Sequence, residues 1–260
     1  MSESILYEVK NKVAHILLNR PKAFNSFNRE MSMAFQEALK KAKDDKEVRA
    51  VFISGKGKAF CAGQDLKEVL DQDKNPGFEK ILEEGYNPII KAIRNIPKPV
   101  VAAVNGVAAG AGANIALACD ITIAHEEASF IQAFSKIGLV PDSAGTFFLP
   151  RLIGFQKASA LMMLGEAVKA KEAERIGMIY KFFTAEEFEE KSLELVENLA
   201  QMPTLALAQT KELINQSYQN TLEEQLALES KLQIQAAQSK DYQEGVNAFV
   251  EKRKPVFKGE

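Results

Sequence analysis

The sequence predicts an α/β fold with largely parallel strands, followed by an all-helical tail. Three observations support this. Up to about residue 184, β-branched runs alternate with segments of helical period. Beyond it only the helical period continues. The chain of 260 residues is 46% hydrophobic and 26% charged, enough apolar material for a sizeable core.

Taken in order, "KVAHILLNRP" alternates and is rich in branched residues, which predicts a strand, and "REMSMAFQEALKKAKDD" repeats apolar residues at helical spacing. "VRAVFISGKG" is the next strand, followed by the irregular, polar "DLKEVLDQDKNPGFEKILEEG" and the helix "NPIIKAIRNIP", stopped by Pro97. "KPVVAAVNG" is a third strand, "ANIALACD" a short apolar helix and "ITIAHEE" a fourth strand. In the tail, Thr184 with Glu187, Thr221 with Glu224 and Asp241 with Glu244 have the spacing of helix-start caps. The chain therefore divides into a core, residues 1–200, and a helical docking or oligomerisation segment, residues 201–260.

Composition narrows the function. A net charge of −2 with no basic concentration argues against nucleic-acid binding. No apolar run approaches the roughly 18 residues of a membrane helix, and the N-terminus has no basic-then-apolar leader. Cys61 and Cys119 lack metal-ligand spacing and suit a reducing cytosol, so a cytoplasmic protein without metal or redox cofactor is expected. His15 lies within a strand and His125 near a strand end, a poor basis for a triad or a zinc site. The glycines match neither G-x-G-x-x-G nor a phosphate loop, and no G-x-S-x-G elbow exists.

Two turns of small residues, each between a strand end and a helix start, are candidates for chemistry. In "GKAFCAGQDL", Ala62 and Gly63 precede a polar helix start; in "NGVAAGAGAN", Gly110, Ala111 and Gly112 open an apolar helix. Free N–H groups at such starts carry the positive end of the helix dipole and can hold a carbonyl oxygen as it becomes an oxyanion. The same pattern also suits ordinary close-packing turns. "IGLVPDSAGTFFLPRLIG" sets one acid, Asp142, in an apolar stretch, either as a helix N-cap or as a reactive carboxylate.

"FCAGQDL", "NGVAAGAGANIALACDITIA", "IGLVPDSAGT" and "EGVNAFVEKRKPVFKG", in this order, resemble the crotonase (enoyl-CoA hydratase/isomerase) superfamily over nearly the whole chain. The resemblance implies a spiral of repeated ββα turns with a C-terminal helical trimerisation region, forming a homotrimer or dimer of trimers that acts on acyl-CoA thioesters. Coenzyme A is then part of the substrate, not a cofactor. It implies an oxyanion hole from the N–H groups of Ala62 and Ala111, with Gly63, Gln64, Asp65, Gly110 and Phe134 around the substrate. Lys22 and Ala23 match a turn that meets the CoA adenine, and Phe249 and Lys252 match nucleotide contacts made in relatives by a neighbouring subunit.

Hydratases of this superfamily use two glutamates. The corresponding positions here are Asn114 and Phe134, and the acid stands instead at Asp142. That placement is similar to the branch of 1,2-epoxyphenylacetyl-CoA and Δ3,Δ2-enoyl-CoA isomerases, in which a single carboxylate moves a proton. Hydration, dehalogenation (disfavoured by the lack of Trp) and non-catalytic acyl-CoA binding are the alternatives. Phe130, Phe134, Phe147 and Phe148 are expected to keep the acid dry and raise its pKa.

Overall fold

The computed structural model describes residues 3–73 and 75–260. Met1, Ser2 and Lys74, which belong to the N-terminus and the irregular stretch considered above, lie outside the described residues.

Ten strands form two sheets: β1 (Ile5–Lys10), β2 (Val13–Leu18), β3 (Ala50–Gly55), β4 (Ala59–Cys61), β5 (Val100–Val104), β6 (Val107–Ala109), β7 (Ile121–His125), β8 (Ser129–Ile131), β9 (Ala167–Lys169) and β10 (Lys181–Phe183). The larger sheet runs β1-β2-β3-β5-β7-β10 and the smaller β4-β6-β8-β9. The pairs β3–β4, β5–β6 and β7–β8 each place one strand in each sheet, so the chain winds as a spiral of ββα turns. Pairing is parallel except in the hairpin β1–β2 and at β8–β9.

Both faces of the large sheet are covered, which explains why β5 is buried along its whole length. Ile53, Ala102 and Val104 point to one core, against helices Arg29–Asp44 and Asn87–Asn95; Phe52, Val101 and Ala103 point to the other, against Val196 and Ala200 of helix Phe188–Gln201. The helix from Arg29 is capped by Asn28, whose side chain accepts from the Met31 N–H at 3.0 Å.

The tail is helical as expected: Thr204–Gln216, Leu222–Ala237 and Lys240–Val250 follow Phe188–Gln201. Of the three expected caps, only Thr221 with Glu224 forms a reciprocal capping box. Thr184 instead donates its hydroxyl to the Glu187 carboxylate at 3.1 Å, one turn ahead of the helix. Ser239, not Asp241, caps the last helix. The Asp241 carboxylate accepts from the N–H groups of Lys258 and Gly259 at 2.6 and 2.7 Å, drawing the C-terminus back onto the tail. The strand–helix rhythm cannot reveal that partner, which lies 17 residues away.

The tail is bound to the core through charge. Asp120, immediately before β7, pairs with Arg94 at 2.9 Å and with Lys211 at 2.8 Å, and Lys211 is only 7% exposed. Burial lowers the Lys211 pKa and the Asp120 charge opposes that shift. Removing the acid leaves two cations without their counter-charge. Asp120→Asn is therefore expected to lower unfolding free energy by about 3 kcal/mol, measured by urea denaturation, with no change in secondary structure before the transition.

Candidate active site

The site is built where the two small-residue turns meet. Extended backbone alternates its donors, and the register past β4 decides which N–H is free. The Ala62 N–H donates to the Phe24 carbonyl at 3.0 Å, the Gly63 N–H to the Cys61 sulfur at 3.4 Å and the Asp65 N–H to the Phe27 carbonyl at 2.8 Å. Gln64 alone in this turn keeps its N–H unbonded among the described residues. The expectation for Ala62 is thus corrected by two residues: a parallel bridge between Phe27 and Gln64 turns the Gln64 N–H to the opposite side.

In the second turn the Gly110 N–H donates to Ile131 at 2.8 Å, and Ala111 begins helix Ala111–Leu117 with its N–H free of any protein acceptor among the described residues. The turns touch. Gly63 has φ +90°, and a Cβ there would stand 3.0 Å from the Ala109 carbonyl oxygen and 3.6 Å from the Ala111 nitrogen. Only glycine permits this approach.

Asp142 lines the same cavity as these donors. It is not an N-cap: helix Gly145–Ile153 has Ala144 at its cap position and no side-chain cap bond. Its carboxylate accepts from the Ser143 hydroxyl at 2.8 Å. Burial pushes the Asp142 pKa up to about 6, and the Ser143 hydrogen bond acts in the opposite direction. Ser143 and Ala144 both adopt left-handed backbone, φ +50° and +58°. Such conformations cost of order 1–3 kcal/mol each in non-glycine residues and concentrate at functional sites.

Gln64, Ala111, Asp142 and Phe134 line one cavity of about 210 Å³, together with Ala62, Gly63 and Gly110. Asp142 is the sole carboxylate on that wall among the described residues. The rest is mainly apolar, with Leu66, Val69, Phe78 and Ile81 drawn from the irregular stretch. Tyr86, 2% exposed, closes the floor from a π-helical turn (Ile81–Tyr86) and donates its hydroxyl to Gln64 Oε1 at 2.9 Å. Sequence reading missed Tyr86; a lone Tyr before Asn-Pro carries no distinctive signal.

Other expectations fall outside this cavity. Phe130 is in the core, while Phe147 and Phe148 line a separate groove with Tyr218. Phe147 packs under the Arg151 guanidinium at 3.8 Å from its centroid. Only Phe134 of the four lines the site, because the left-handed elbow at 143–144 sends the following helix away from it. Asp65 caps helix Leu66–Leu70 through the Lys67 N–H at 3.1 Å and pairs with Arg20 at 2.8 Å. Exposed Lys22 and half-buried Ala23 belong to the turn Pro21–Ala23, whose next residue, Phe24, accepts the Ala62 N–H. Phe249, 85% exposed, sits on a groove formed by the tail, and Lys252 lies just past the last helix with φ +54°. A single chain does not bring these two to the cavity. His15 rests on Phe52 and His125 on Phe188, with ring centroids 5.5 and 5.4 Å apart.

The ββα spiral thus brings a turn N–H, a helix-start N–H and one acid to the wall of a single, mainly apolar cavity. The chain belongs to the enoyl-CoA hydratase/isomerase family, whose model matches residues 8–260. It is 44% identical to the 1,2-epoxyphenylacetyl-CoA isomerase of Escherichia coli (strain K12), covering 100% of both chains. It is 43% identical to a "Probable enoyl-CoA hydratase" of Rhodobacter capsulatus, covering 98% of each. The crystal structure of an enoyl-CoA hydratase from Bacillus anthracis superposes with a TM-score of 0.92 at 34% identity, covering 99% of this chain and 100% of that one. The family is enzymatic, and both reaction names occur among these relatives.

The raised carboxyl has a consequence for stability. Its folded pKa of about 6 exceeds the ordinary 3.8, so folding favours the protonated form. That stability is complete below the unfolded value and is lost as pH rises through the folded one, to a limit of about 3 kcal/mol. Asp142→Asn removes the penalty. The variant is expected to melt above wild type at pH 8 and to lose the advantage near pH 4, as followed by calorimetry.

Proposed function

We propose that this protein is an acyl-CoA isomerase in which one carboxylate moves a proton beside a polarised thioester. The observation that carries the proposal is the lone, partly desolvated Asp142 facing the free N–H groups of Gln64 and Ala111. The two N–H groups would bind the thioester oxygen and stabilise the enolate that forms. With a 3-enoyl thioester, Asp142 takes the proton from C2 and the C–H pair spreads over C2, C3, C4 and the thioester. Return of that proton to C4 leaves the double bond between C2 and C3. An epoxide substrate of the kind named for the Escherichia coli relative would use the same hole and acid for ring expansion.

Hydration is the second reading, favoured by the names of several relatives. It needs a group to activate water. The two aligned positions carry Asn114, whose amide is bonded at both its oxygen and its nitrogen, and Phe134, which has no proton to give. We also propose that residues 201–260 assemble the chain into a trimer or a dimer of trimers. Exposed Phe249, Val250 and Ile234 on the tail helices support this reading, and light scattering of the purified protein tests it.

The reaction is tested with a 3-enoyl-CoA in deuterated water, following conjugated thioester absorbance and deuterium uptake. Wild type should convert and exchange, and Asp142→Asn should lose at least about 100-fold in kcat, the scale of general acid–base catalysis. A hydroxylated product would establish hydration instead. Because the base must be ionised, kcat/KM should fall tenfold per pH unit below the Asp142 pKa of about 6. A flat profile between pH 5 and 8 would remove Asp142 from the role.

A further inference from the structure

We infer that Asn114, at the position where a hydratase would carry a glutamate, is a positioning residue that aims Asp142. This rests on the isomerase reading of Asp142. Asn114 is 1% exposed and lies three residues into the helix opened by Ala111. Its Nδ2 donates to the Asp142 main-chain carbonyl at 2.8 Å. Its Oδ1 accepts from Gln132 Nε2 at 2.7 Å, and Gln132 is itself 4% exposed. The direction of this chain is fixed, because the Asp142 carbonyl can only accept and Asn114 must therefore present its amide nitrogen there.

Three features make this more than a core hydrogen bond. First, it holds the residue just ahead of Ser143 and Ala144, whose left-handed backbone persists only where surroundings over-determine it. Second, Gly145 lies flat on the same amide: a Cβ there would stand 2.3 Å from Asn114 Nδ2. The elbow is thus gripped on both sides of its two strained residues. Third, one short helix carries the Ala111 donor at its first residue and the clamp at its fourth. The spacing between oxyanion donor and carboxylate is therefore set by one rigid element. Gln132 serves the same frame, since it directly follows β8 and precedes Phe134 of the cavity wall.

The clamp touches the main chain of Asp142, not its carboxylate, so Asn114 acts through geometry. The carboxylate itself accepts from Ser143, and the other titratable groups on the cavity wall are Tyr86, whose pKa burial raises, and the Lys136 ammonium.

Asn114→Asp tests the inference: it keeps shape and the bond from Gln132 but sets an acceptor against the Asp142 carbonyl. With a 3-enoyl-CoA, kcat should fall on the order of 10- to 100-fold, as for displacements near 1 Å. KM should stay within about threefold, since thioester binding relies on Gln64 and Ala111. The acidic limb of the kcat profile should move to higher pH, because a second buried carboxyl disfavours ionisation of the first. Gln132→Met, which frees the Asn114 amide oxygen while leaving Asn114, Ser143 and Gly145, the partners of Asp142, unchanged, should lower kcat with KM held, and it decides the matter if Asn114→Asp does not fold. A folded variant with wild-type kcat and an unmoved limb would overturn the inference. Asp142→Asn assayed alongside separates the two claims: if it is inactive while both clamp variants are normal, only the clamp fails; if it is active, the reading of Asp142 fails.

Discussion

The register between β4 and β6 is the constraint on which the site depends. Ala59 pairs with Val107 and Cys61 with Ala108, with a shift between the two positions. That irregularity carries the chain past Cys61 so that Gly63 rests on Ala109 and Ala111. Two donors from turns almost fifty residues apart in sequence then face one volume. Neither turn is a site alone, since the cavity wall takes Gln64 from one and Ala111 from the other. Parallel pairing makes the convergence general: strands running the same way end on the same side, and their following turns collect there.

Against this donor pair the fold places a carboxylate in a poor environment for charge. Asp142 has one hydroxyl partner and an apolar wall, and it follows that its ionised form is held less well than in water. In the proposed role the stability lost is inseparable from the use, because a well-solvated acid would be too weak a base for a carbon acid. Two left-handed residues behind it add strain at the same point, and a buried amide network contains that strain. At the site the strain and the desolvated charge fall on Asp142, Ser143 and Ala144, and Leu149 in the helix that follows is fully buried.

Much of the fold was legible because the long elements carry strong periods. The runs around Val13, Val51 and Val101 are too branched and continuous for anything but buried strands, and each is one. The three-residue strands β4, β6 and β8 have no period to detect and emerged only through resemblance. Asp142 was legible as an acid out of place. The hole was legible only to within two residues: small side chains mark a turn, but which N–H is free depends on the bridge from Phe27, a partner nearly forty residues away in sequence. Phe147 and Phe148 show the opposite failure. Their hydrophobicity was read correctly, yet apolar character does not say which cavity a ring enters. Asp241 and Glu244 had the spacing of a cap, and the chain terminus claimed the acid first.

The acyl wall differs in kind from the machinery it surrounds. The donors sit past β4 and at the start of a buried helix, and the acid in the turn before helix Gly145–Ile153, whereas Leu66 and Phe78 stand 51% and 47% exposed on a short helical excursion between β4 and Tyr86. Ile81 from the same stretch belongs to the core, but Leu66 and Phe78 do not, so these two can be exchanged without disturbing it. For the proposed reaction, substrate preference can therefore be retuned at these two side chains while the acid and its donors stay in place.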